Sequence, residues 1–158
     1  MIDNPQPILT TEQLANLLSD FNAELATQSM DDVLQILQAA NLSMARLVAL
    51  CYLQRQGAAA TITAISEHLN LALGTTSQVI DQLVQSGMVE RREDAHDRRH
   101  KLVTLTACGA EIVARVRQAR RAEIVRRLGD LPPDLVARLG SAISEAIAVL
   151  QPPLAVVD

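Results

Sequence analysis

The chain has 158 residues, 49% of them hydrophobic, with a formal charge of −4, which suits one compact domain or two small lobes and excludes intrinsic disorder. No apolar run approaches the ~18 residues of a membrane span, the first residues lack the basic stub and apolar stretch of a leader, and Cys51 and Cys108 are too few for a disulfide scaffold. Phe21 and Tyr52 are the whole aromatic complement, which nearly excludes stacking of bases on rings, and the chain reads as a soluble cytoplasmic protein.

Thr10 and Gln13 form a capping-box pattern, and Leu14, Leu17, Leu18, Phe21 and Leu25 follow at helical spacing. A second helical start near residues 29–32 leads into Val33, Leu34, Ile36 and Leu37, as a new helix or a kinked continuation. Ser43 can cap a helix carrying Leu47, Leu50, Cys51 and Leu53, which Gly57 closes in a left-handed conformation. After a small-residue linker, residues 61–63 suit a minimal strand, and Thr63 can cap a helix that buries Ile65 and Leu69 and ends near Asn70. Residues 71–74 make a turn. A short helix over 75–86 then buries Val79, Ile80, Leu83 and Val84 and stops at Gly87, which gives the outline of a helix-turn-helix. Residues 88–92 and 101–105 read as strand arms around a charged tip. The tail gives a helix over about 107–128 and, after Pro132 and Pro133, a second with Leu135, Leu139, Ile143, Ala146, Ile147 and Leu150 in one stripe. Pro152 and Pro153 end it. Apolar faces at both chain ends exceed what the middle can cover, which predicts a homodimer.

Charge is distributed unevenly. Residues 1–90 carry nine acids against two bases, whereas residues 91–127 carry eleven bases against five acids. A local basic block can bind phosphates whatever the total charge, and thirteen of the fourteen cations are Arg, the better fork for phosphates and base edges.

The helix-turn-helix, the run Gly87-Met88-Val89-Glu90-Arg91, the tip Asp97-Arg98-Arg99, the strand end Leu105-Thr106 and Gly109 together resemble the multiple antibiotic resistance regulator (MarR) family of winged-helix transcription factors. The likeness is specific over roughly residues 41–110. It implies a mainly α fold with a small β-hairpin wing: N-terminal helices (1–42) and C-terminal helices (107–158) form a dimerisation lobe, and a winged helix-turn-helix (43–106) forms the DNA-binding lobe. It also implies a small-molecule cleft where the lobes meet, with Leu47, Cys51, Tyr52 and Arg55 as lining candidates.

With Val79, Ile80 and Leu83 inward, the helix over 75–86 turns Thr75, Ser77, Gln78 and Gln82 toward solvent, where a major groove could receive them. Relatives often carry bases at the positions matching Gln78 and Gln82, whereas this helix has no Lys or Arg and contains Asp81. The wing is therefore expected to supply the attraction through Arg91, Arg98, Arg99 and Lys101, with Arg92 nearby. A hairpin tip is narrow enough to place Arg99 in a minor groove, and the resemblance implies that Asp97 orients it.

His96 and His100 flank Asp97 without a third ligand, so no metal site is expected, nor any cofactor. His68 reads as a surface or partly buried structural residue and Cys51 as a small core residue, while Cys108 lies at a helix start. The basic tail helix, with Arg115, Arg117, Arg120, Arg121, Arg126 and Arg127, is expected to pair with the acidic front. No phosphate loop, catalytic triad or metal cluster points to an enzyme. The leading expectation is a dimeric, sequence-specific DNA-binding regulator, a ligand-responsive repressor of a pseudo-palindromic operator in double-stranded DNA. The competing one is a winged helix that recruits another protein.

Overall fold

Backbone capping fixes most of the element ends in the computed structural model, which describes residues 9–26, 29–93 and 101–150. Helix α1 spans Thr11–Ala26 and opens on a reciprocal capping box: the Thr10 amide donates to Gln13 Oε1 at 2.9 Å and the Gln13 amide to Thr10 Oγ1 at 3.2 Å. Helix α2 spans Ser29–Ala39; the junction at residues 27 and 28 lies outside the described residues. Asn41 turns left-handed (φ 51°), and the Leu42 amide reaches back to the Leu37 carbonyl at 2.8 Å, closing α2 with a Schellman motif.

Helix α3, Met44–Gln56, starts at Ser43 and ends at left-handed Gly57, as its sequence predicts. Strand β1 is two residues long, Ala60–Thr61, and helix α4, Ile62–Leu69, is capped by Thr61 instead of the expected Thr63. The Thr61 hydroxyl accepts from the Ala64 amide at 3.1 Å. Thr63 already lies in the first helical turn, where its carbonyl accepts from the Ser66 hydroxyl at 2.8 Å. Left-handed Asn70 ends α4, again in Schellman geometry, with the Leu71 amide on the Ser66 carbonyl at 3.1 Å.

Helix α5 spans Leu73–Gln85, so it begins two residues before the expected start and takes in Gly74. Asn70 has already reversed the chain, and no further turn is needed. Ala72 caps without a side chain, and the Thr76 amide and hydroxyl both donate to its carbonyl, at 2.9 and 3.2 Å. Val79, Ile80 and Leu83 are buried as expected, but Val84 is exposed. Gly87 (φ 70°) closes the helix.

Strands β2, Val89–Glu93, and β3, Lys101–Leu105, form the expected antiparallel hairpin, with Val89 opposite Leu105 and Glu93 opposite Lys101. β1 adds to the far edge of β3, giving the order β1-β3-β2. Helix α6, Ala107–Gly129, starts at Thr106. That side chain accepts from the Gly109 amide at 3.2 Å and donates to the Gly87 carbonyl at 2.7 Å, so one hydroxyl ties α6 to the end of α5. A Cβ at Gly109 would stand 2.2 Å from the Met88 carbonyl oxygen; only a glycine allows this approach.

The core centres on Leu50, Leu53, Ile65, Ile80, Leu83, Val89 and Val103, and runs on into Val33 and Leu37 of α2 and Ile112, Val113 and Val116 of α6. Cys51, expected among these residues, is exposed: it lines the seam between α3 and α6, which covers it only in part. Helix α7, Pro133–Leu150, has no buried residue. Leu135 and Leu139 of its stripe are half-buried and Ile143, Ala146, Ile147 and Leu150 are exposed; Pro152 and Pro153 lie outside the described residues. Among the described residues, no single helix is long and apolar enough to cross a membrane.

Candidate nucleic-acid interface

The outward face of α5 follows from its periodicity. Thr76, Val79, Ile80 and Leu83, spaced i, i+3, i+4 and i+7, face the core, so the side of the helix turned away from them faces out. Thr75, Gln78 and Gln82 are exposed and Ser77 is half-buried, as the sequence predicts. Thr76, between them, instead belongs to the core.

The wing stands beside this face and is bonded to it. Arg91, on β2, places its guanidinium 2.7 Å from the Asp81 carboxylate of α5. The acid that weakened α5 as an anion-binding surface is thereby neutralised, and Arg91 is engaged within the lobe. Its Nε is buried without a hydrogen-bond partner. Arg92 pairs with Glu90 at 2.6 Å, and Lys101 lies opposite Glu93 in the β2–β3 register. The lower wing is thus largely self-neutralised. Asp97, Arg98 and Arg99, together with His96 and His100, lie outside the described residues. A depression of about 240 Å³ opens where the wing meets α5 and the start of α4, lined by Thr61, Thr63, Leu73, Ser77, Arg91 and Lys101.

On its other side α5 meets a residue that sequence order conceals. Arg46, in the first turn of α3, shares a polar depression of about 390 Å³ with Asn41, Gln82, Gln85 and Ser86. The sequence signal for it is slight: a cation three residues after a capping Ser, far along the chain from α5.

The four residues expected to line a small-molecule cleft do not lie together on one depression. Leu47 is buried in the core, Arg55 is exposed in the last turn of α3, and Tyr52 stacks on His68 with ring centroids 4.5 Å apart. Cys51 alone of the four lines a depression between α3 and α6, about 330 Å³, with Val113, Val116, Arg117, Arg120, Arg121 and Ile124. The lining thus combines three aliphatic side chains with three arginines. Partial burial pushes the Cys51 thiol up, against the opposing pull of Arg117, Arg120 and Arg55, so the thiol stays protonated at neutral pH and is a weak nucleophile.

The expected pairing of the tail arginines with the acidic front does not occur among the described residues. Arg126 and Arg127 turn back to Glu123 on their own helix, at 2.6 and 3.0 Å. Glu123 is nearly inaccessible to solvent, and its hydrogen bond from Arg126 holds its carboxyl below the usual range, with Arg127 assisting. Arg115, Arg117, Arg120 and Arg121 form no ion pair with a described acid.

Comparison with known proteins agrees with this arrangement. Residues 42–101, which run from just before α3 to the first residue of β3, match the model of the MarR family. This segment is similar to the MarR family. Solved structures extend the likeness to nearly the whole chain. RV1404 from Mycobacterium tuberculosis matches with a TM-score of 0.75 at 20% identity, covering 94% of this chain and 100% of that one. The transcriptional regulator Tm0710 from Thermotoga maritima gives 0.77 at 19%, over 88% and 94%. A mutant of MepR from S. aureus, bound to an oligodeoxyribonucleotide, gives 0.62 at 21%, over 90% and 99%. At such identities the likeness carries the fold, a MarR winged helix with helices added from both chain ends. No curated protein matches the sequence.

Proposed function

We propose that the chain is a sequence-specific DNA-binding transcriptional regulator of the MarR type, not an enzyme, and that it acts in the cytoplasm as a homodimer on a pseudo-palindromic operator. The observation that carries this reading is the bonded unit of α5 and wing: an uncovered polar helix face with the β2–β3 hairpin fastened at its side by Arg91 and Asp81. Thr75, Ser77, Gln78 and Gln82 would read base edges, where amides pair well with adenine. Lys101 and Arg98 would hold phosphates, and Arg99, oriented by Asp97, would enter the minor groove. Arg91 serves best as the brace between the two elements.

The cleft between α3 and α6 suits a small effector with an apolar body and an anionic group facing Arg117, Arg120 and Arg121. A ligand that binds one spacing of the two lobes better than another would shift DNA affinity, which is the expected behaviour of a ligand-responsive repressor. Lobe boundaries near residues 42 and 107 belong to the same reading.

Affinity selection of fragmented genomic DNA from the source organism, comparing the unsubstituted protein with Arg99→Ala, tests the proposal. Enrichment of a palindromic site that the variant loses is the expected result. Enrichment by neither protein would favour a protein-recruiting winged helix, to which the self-neutralised lower wing lends some support.

A further inference from the structure

Helix α5 has two polar flanks, and they are served differently. The flank through Ser77 and Asp81 faces the wing, where Asp81 engages Arg91. The opposite flank, through Gln82, Gln85 and Ser86, borders the depression whose far wall is Asn41 and Arg46. α5 itself contains no Lys or Arg, and among the residues that line this depression the positive charge is that of Arg46.

Arg46 is half-buried, and its Nε donates to the Ser43 hydroxyl at 3.3 Å, while its own amide donates to the same oxygen at 3.4 Å. A neutral hydroxyl thus orients the guanidinium without consuming its charge. Among the described residues no carboxylate pairs with Arg46, whereas Arg91 and Arg92 on the wing side are both paired. The major groove is bordered by two phosphate backbones, so a helix lying in it is best held by a donor on each side.

We propose that Arg46 is a phosphodiester contact for double-stranded DNA on the flank of α5 away from the wing, seated beside Gln82 and Gln85. The inference rests on the regulator reading and deepens it. DNA is then gripped from both sides of the recognition helix, and the cation that α5 lacks is delivered by α3. Gln85, which the sequence reading passed over, joins Gln82 on the groove side.

The test compares the unsubstituted protein with Arg46→Ala and Arg46→Lys. Two probes are used, the duplex that the unsubstituted protein enriches and a scrambled duplex of equal length, each titrated between ~50 and ~200 mM salt. Arg46→Ala weakens both duplexes by about tenfold, and lowers the slope of log affinity against log salt by about one, as expected for one lost phosphate contact. Arg46→Lys retains the aliphatic stem and the charge and restores the slope. An unchanged slope in Arg46→Ala overturns the proposal, as does a loss confined to the enriched duplex, because a phosphate contact carries no sequence information. Helical circular dichroism monitors folding; if the Ala variant unfolds, an Arg46→Gln variant replaces it under the same criteria. Failure of the unsubstituted protein to enrich any duplex sinks the regulator reading and this inference together. Binding with an unaltered salt slope sinks only the latter.

Discussion

Within the winged lobe the inward-facing apolar side chains are fully covered: Leu50, Ile65, Ile80, Leu83 and Val103 are wholly inaccessible. In α7 an equally regular stripe stays outside, and Val149 and Leu150 are 81% and 80% exposed. The same helical periodicity produces both. The difference lies in what the chain brings opposite: α4, α5 and the sheet close over α3, whereas among the described residues α7 has none buried. A period identifies the face that needs covering, and topology supplies the cover or leaves it to a second molecule.

That contrast can be broken most strongly at α7. The paired change Ile143→Asp with Ile147→Asp should cost a dimer about 5 kcal/mol or more, from two aliphatic side chains per protomer that no longer find an apolar partner. Sedimentation equilibrium should show monomer, with denaturant unfolding of the winged lobe retained. Persistence of the dimer would place the interface elsewhere. Leu50→Ala sharpens the other half of the comparison: it should destabilise the lobe by about 3 kcal/mol, read from the shift of its denaturation midpoint, by opening a cavity in a filled core.

Between the two regions sits Glu123. Its folded carboxyl is held below the ordinary range, chiefly by the Arg126 hydrogen bond. The sign of the linkage follows: its stabilisation is complete above the unfolded carboxylate value and is lost as pH falls through the lower folded value. Thermal unfolding followed from neutral to acidic pH should therefore show an acid-side decline that is smaller in Glu123→Gln. A decline of equal size in the variant would remove Glu123 from the account. The smallest effect is expected at Asp81→Asn, a partly exposed pair worth about 0.5 kcal/mol of stability, where DNA affinity should rise because a negative charge leaves the recognition face and Arg91 is released. Weaker DNA binding in Asp81→Asn would show that bracing the wing matters more than the liberated charge.

Much of the fold was legible because its signals are local. Thr10, Ser43, Gly57, Asn70 and Gly87 each fix a helix end through bonds spanning a few residues, and the hairpin arms show their pattern directly. The errors arose where distant partners decide. Thr61 and Thr63 are equal as caps until β1 pairs with β3, which uses Ala60 and Thr61 and leaves Thr61 at the helix boundary. Gly74 reads as a turn until Asn70 is seen to have made it already. The site divides in the same way. The polar face of α5 is written in its own spacing, but the Arg91–Asp81 brace, the Tyr52–His68 stack and the approach of Arg46 join separate elements. The lining of the α3–α6 depression, with Cys51 exposed over Val113 and Val116, likewise depends on how two helices cross.

The joint at Thr106 and Gly109 has a mechanical consequence. α6 is a rod of 23 residues, roughly 34 Å long at the rise of an α-helix, and its first turn is set against the Met88 carbonyl with no room for even a methyl group. Such a seat permits little play, so the rod and the wing turn as one piece. A tilt of about 5° at one end sweeps the other by roughly 3 Å over that length, which converts a small adjustment among the terminal helices into a displacement on the scale of a hydrogen bond at the base of the wing.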